Sequence, residues 1–92
     1  MFNAESQTTI GADWNNRYVN LMIDTLTKKA SSSVYIAKDQ SRQVAMKSLI
    51  GLLSGNFRQG DEVKITVIGE NEDNARRDLK LAEELLKGEY HF

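Results

Sequence analysis

The chain has no cysteine, no proline and a single histidine in 92 residues. Without cysteine there is no disulfide, no thiolate nucleophile and no zinc site built on sulfur. The histidine, His91, stands second from the C-terminus, and a terminal residue without ordered neighbours is a poor place to build a catalytic site. An excess of one charge is missing too. Twelve Lys and Arg against thirteen Asp and Glu leave a formal net charge of -1, which argues against bulk electrostatic attachment to nucleic acid or membrane but allows local positive patches. No apolar run approaches the length of a bilayer span, and residues 1–9 lack the basic start and apolar run of a signal peptide, so a cytoplasmic location is expected. There is no Gly-rich phosphate loop and no metal-ligand spacing, so no cofactor or metal is expected. Glu83 and Glu84 are neighbours and point about 100° apart on a helix, which is not a paired-carboxylate geometry. Glu70, Glu72 and Asp73 read as helix-capping charge.

What is present is an ordinary globular composition, 40% hydrophobic and 27% charged, in a chain able to bury one modest core and so a single domain over residues 1–92. It has no repeat, linker or low-complexity segment. Residues 2–10 alternate loosely through Phe2, Ala4, Thr8 and Ile10 as a strand, and residues 11–13 make a turn. Val19, Met22, Ile23 and Leu26 fall at i, i+3, i+4 and i+7 and predict an amphipathic helix over Asn16–Lys29, with Lys28 and Lys29 complementing its C-terminal dipole. Residues 34–37 read as a strand, residues 38–41 as a hairpin turn and residues 42–46 as a short returning strand. Residues 56–60 form a loop in which Phe57 is the only apolar residue. Residues 62–67 alternate strictly, and Gly69 ends that strand. Asn71 caps a last helix whose face carries Ala75, Leu79, Ala82 and Leu86, widened by Leu81 and Leu85, and Gly88 stops it.

The order is strand, helix, strand, strand, helix, strand, helix. A four-stranded antiparallel sheet with three helices on one face buries these stripes in an α+β domain, although ferredoxin-like folds share much of the same order.

The stretch 46–56, Met-Lys-Ser-Leu-Ile-Gly-Leu-Leu-Ser-Gly-Asn, organises the rest. Ser48 suits an N-cap, and Ser54-Gly55-Asn56 a stop. Leu49, Ile50, Leu52 and Leu53 cannot all point one way on so short a helix. Either some of them stay in water as a docking surface beside a modifiable serine, or this is a short core helix with a capping serine.

This segment, its place after a hairpin and the Gln-Gly-Asp-Glu-Val run after it resemble the HPr family, the small phosphocarriers of the bacterial phosphotransferase system. The second helix of that family reads K-S-[IL]-[ML]-G-[VL]-[ML]-S, which Lys47, Ser48, Leu49, Ile50, Gly51, Leu52, Leu53 and Ser54 match, while Gln59 and Gly60 match the start of the following strand. The resemblance covers nearly the whole chain and is strongest over residues 32–86. It implies an open-faced sandwich of order βαββαβα and a protein that is not an enzyme.

In HPr a histidine within G-[IL]-H-A-R-P-A, just before the first helix, carries the phosphoryl group. The imidazole is the nucleophile, helix amides meet the phosphate and the arginine neutralises charge. Here Asp13, Trp14, Asn15, Asn16, Arg17, Tyr18 and Val19 stand on that motif, and only the arginine matches. Asn15 replaces the histidine, and a carboxamide nitrogen, its lone pair delocalised, is no practical phosphoryl acceptor. Tyr18 replaces the proline that would pre-set the helix start. The resemblance therefore implies that relay from phosphoenolpyruvate is lost, with Arg17 either retaining an anion-binding role or simply solvated.

Ser48 matches the serine that an ATP-dependent HPr kinase phosphorylates in Gram-positive members, whose product is corepressor for a catabolite control regulator. A catabolite-repression branch lacks the histidine and keeps the serine, and this chain is similar in that respect, although Trp14, Asn15 and Tyr18 are not that branch's usual residues. Leu49, Ile50 and Leu53 fall on positions that the family exposes to partners, and Lys47 and Arg17 are the candidate anion- or partner-binding cations. The family's S-L-G after this helix reads Ser54-Gly55-Asn56 here. The expectation is a regulatory, cytoplasmic, protein-binding member acting through Ser48. The alternatives are an interaction module that has left phosphorylation behind, or a carrier using a substitute acceptor such as His91.

Overall fold

The computed structural model describes residues 1–39 and 42–92; of the turn expected over residues 38–41, Gln40 and Ser41 lie outside the described residues. The elements are β1 (Phe2–Thr9), α1 (Asn16–Lys29), β2 (Ser33–Lys38), β3 (Val44–Ala45), α2 (Leu49–Ser54), β4 (Glu62–Gly69) and α3 (Glu72–Lys87). They form one antiparallel sheet in the order β1-β4-β2-β3. The most strictly alternating segment of the sequence, β4, is central: Val67 pairs with Ala4 on one side and Val34 on the other, and Ile65 pairs with Ile36. Alternation places Val63, Ile65 and Val67 on the helix-covered face, all nearly or completely buried. Asn3, Glu5 and Lys64 fall on the open face, where Lys64 Nζ and Glu5 Oε2 pair at 3.1 Å.

The helices pack as an apolar layer on the covered face. Val19, Met22 and Leu26 of α1 are fully buried, as their spacing requires, whereas Ile23 is half-buried and Thr25 takes its place inward. The Thr25 hydroxyl donates to the Leu21 carbonyl at 2.8 Å, which satisfies the polar group within the helix itself. In α3, Ala75, Ala82, Leu85 and Leu86 are buried as expected, but Leu79 and Leu81 are only partly so. Asp78 is fully buried instead. Its Oδ2 accepts the Ser32 backbone N–H at 2.9 Å, so the carboxylate ties the loop after α1 to the middle of α3. Asn71 caps α3 by accepting the Asn74 N–H at 2.9 Å, and Gly88 stops it in the left-handed region at φ 77°.

The returning strand is shorter than the 42–46 expected, with only Val44 and Ala45 paired, to Ile36 and Tyr35. Met46 then leaves the ladder to become fully buried, its N–H donating to the Val34 carbonyl at 2.9 Å. A large apolar side chain drawn under the sheet ends the extended pairing there.

Candidate functional site

Two places in this fold carry the residues singled out in the sequence: the start of α1 and the start of α2. At the first, Asn15 is extended (φ -76°, ψ 168°) and its Oδ1 accepts the Tyr18 N–H at 2.8 Å. Asn15, expected from the resemblance at the family's histidine position, is thus the N-cap of α1, its carboxamide oxygen committed to a main-chain donor. Arg17 is exposed and makes no ion pair among the described residues. Tyr18 reaches across to α3 and donates its hydroxyl to the Leu85 carbonyl. Burial pushes its phenol pKa up, which keeps it neutral. Phe92 packs edge-on against Tyr18 at 5.9 Å between centroids and against Tyr90 at 5.0 Å. The C-terminal segment therefore closes one wall of a groove of about 300 Å³ beside Asn15 and Arg17. His91 lies exposed in that segment.

At the second place, Ser48 is the N-cap of α2. Its Oγ accepts the Gly51 N–H at 3.2 Å and its carbonyl accepts the Leu52 N–H at 3.0 Å. The four aliphatics that follow are split. Leu52 is 2% exposed, whereas Leu49, Ile50 and Leu53 are 38%, 81% and 46% exposed. Gly51 has a packing reason to lack a side chain, since a Cβ there would stand 2.7 Å from Val44 Cγ1 and 3.1 Å from Ser48 Oγ. Lys47, adjacent to the serine in sequence, sends its Nζ to the Ala30 carbonyl at 3.3 Å, where its charge complements the C-terminal end of α1. On the hairpin side of Ser48 lies a groove of about 500 Å³, with Arg42, Gln43, Val44 and Phe57 in its walls.

The two places are joined by an aromatic pair that sequence reasoning did not anticipate. Phe57, 9% exposed, folds under the end of α2 and packs on Trp14 at 5.3 Å between centroids. Its isolation as the one apolar residue of a polar loop was the available signal. Among the described residues no group of three or more His, Asp or Glu could hold a metal ion, and no helix is long and apolar enough to cross a membrane.

Comparison with known proteins agrees with this architecture. No curated protein matches the sequence significantly. Among solved structures, HPr-C-His from Thermoanaerobacter tengcongensis is 29% identical with a TM-score of 0.71, over 96% of this chain and 99% of that one. The phosphocarrier protein HPr from Bacillus anthracis str. Ames is 20% identical with a TM-score of 0.76, over 91% and 96% of the two chains. The histidine-containing phosphocarrier protein of Mycoplasma is 21% identical with a TM-score of 0.66, over 90% and 97%. The last two likenesses speak for the fold alone. The family whose model is described as the PTS HPr component phosphorylation site matches residues 14–84, which take in both helix starts. The chain therefore belongs to the HPr family of the phosphotransferase system.

Proposed function

We propose that this chain is a regulatory, protein-binding member of the HPr family that does not relay phosphoryl groups through residue 15. The observation that carries the reading is the split of α2: Leu52 goes into the core, while Leu49, Ile50 and Leu53 stay in water directly after Ser48. Burying an aliphatic side chain fully contributes about 1.5–3 kcal/mol, so three of them in a partner's groove sustain a transient complex. The capping role of Asn15 supports the other half of the reading, because its oxygen serves α1 and its amide nitrogen is not a nucleophile.

Ser48 is the modification site in this reading, with an HPr kinase/phosphorylase and a catabolite control transcription regulator as the partners. The Ser48 Oγ–phosphorus bond forms as the bond from the γ-phosphorus of ATP to ADP breaks. The hydroxyl proton passes to the kinase's base. The product adds a charge of roughly -1.5 to -2 beside the apolar face.

The test is mass spectrometry of the purified protein after incubation with ATP and an HPr kinase from the same organism, with an unmodified HPr as positive control. A single phosphoryl group mapped to Ser48 is expected. An unlabelled chain beside a labelled control would overturn the kinase assignment and leave a docking module without phosphorylation.

A further inference from the structure

We propose that Arg42, two residues before β3, is the internal partner of a phosphoryl group on Ser48. The proposal rests on the reading that Ser48 is modified and names what holds the modification.

Ser48 and Arg42 line the same groove of about 500 Å³. Among the described residues, Arg42 is the only charged one in its lining, and no carboxylate lines it. Nor does Arg42 form an ion pair with any described residue. The groove is thus locally cationic in a chain whose net charge is -1. The missing side chain at Gly51 keeps room beside the Ser48 oxygen, because a Cβ there would lie 3.1 Å from it. A guanidinium matches a phosphoryl group with two parallel N–H donors, a pairing that a carboxylate-free pocket leaves uncontested.

The other candidate cations are placed elsewhere. Lys47 points to the Ala30 carbonyl, and Arg17 lines the separate groove beside Tyr18. Leu49, Ile50 and Leu53 do not line the Arg42 groove. A phosphoryl group drawn to Arg42 therefore ties α2 to the hairpin and leaves the apolar face open to a partner, so the modification arranges the docking surface and does not cover it.

The experiment uses the full chain with phosphoserine placed at position 48 by genetically encoded incorporation, which needs no kinase. Phosphorus NMR follows its second ionisation, near pH 6 for a free phosphoserine. The midpoint is expected to lie at least about half a unit lower in the native background than in Arg42→Gln, because a nearby cation favours the dianion. Arg42→Lys should fall between the two, and Lys80→Gln, in a cation that lines a different groove, should match the native background. Equal midpoints with and without Arg42 overturn the proposal. The kinase reaction, run in parallel, separates the two readings: an unlabelled Ser48 with a shifted midpoint removes the kinase and keeps the Arg42 site, and the converse removes only Arg42.

Discussion

The indole of Trp14 and the ring of Phe57 meet at 5.3 Å between centroids, tilted by 47°. The pair links the residue before the α1 cap to the loop that leaves α2, so the two helix starts share one packing contact. A tilted aromatic pair contributes about 0.5–1.5 kcal/mol beyond the area it buries. A double-mutant cycle with Trp14→Leu and Phe57→Leu, read by urea denaturation, is expected to give a coupling in that range. Additive losses would mean that the rings are adjacent without cooperating.

Asn15 is predicted to matter for stability through its side-chain oxygen. Replacing an N-cap asparagine with alanine costs about 0.5–2 kcal/mol, and Asn15→Ala should fall there. Asn15→Asp keeps an acceptor for the Tyr18 N–H and adds negative charge at the helix N-terminus, so it should retain the native midpoint. Thermal unfolding of both variants checks this; a neutral Asn15→Ala would show that the cap contributes nothing.

The aliphatics of α2 should separate by role. Leu52→Ala empties a core position and is expected to cost about 2–5 kcal/mol. Ile50→Ser alters an 81% exposed side chain and should stay within about 0.5 kcal/mol of native stability. For the function proposed above, titration calorimetry of Ser48-phosphorylated protein against a catabolite control regulator should show Ile50→Ser weakening binding about tenfold or more, roughly 1.4 kcal/mol. Unchanged affinity would remove Ile50 from the docking face.

Asp61 sets an acid dependence. Its carboxylate accepts the Arg58 backbone N–H at 2.9 Å and pairs with Lys38 Nζ at 3.2 Å. The backbone hydrogen bond from Arg58 is the main cause that holds its pKa below the usual carboxylate range; desolvation opposes it, and the Lys38 contact adds to the lowering. As pH falls, the unfolded chain takes up this proton before the folded one does. The stabilisation is therefore complete above the unfolded pKa and is lost as pH drops through the lower folded value. Urea midpoints of the native chain and Asp61→Asn are expected to draw together as pH falls below the ordinary aspartate value of about 3.9. Parallel curves would rule Asp61 out as the titrating group.

Much of the frame is legible in the residues. Helices α1 and α3 follow from 3.6-residue periodicity, β4 from strict alternation, the starts of α2 and α3 from Ser48 and Asn71, and the stop of α3 from Gly88, because these signals depend on local backbone geometry. Asp78 shows where the pattern misleads. A stripe drawn through Leu79 passes over the buried aspartate, since burial of a carboxylate depends on a donor from a distant loop, here the Ser32 N–H. The reach of β3 was overestimated for a related reason: Met46 is claimed by the core, and nothing in residues 42–46 announces it.

The site divides along the same line. That position 15 carries a carboxamide, that Ser48 can cap a helix and that four aliphatics cannot all be buried on one short helix follow from covalent chemistry and helix geometry, and the sequence alone determines them. A six-residue helix has no period long enough to say which aliphatic turns inward, so packing against the rest of the core decides that Leu52 does and that Ile50 does not. Packing likewise turns Lys47 toward α1 and joins Trp14 to Phe57, and the fold brings Arg42 into the wall of the groove that Ser48 also lines. Each of these pairs residues that are remote in the chain or face away from one another locally, and only the folded core brings their side chains to one place.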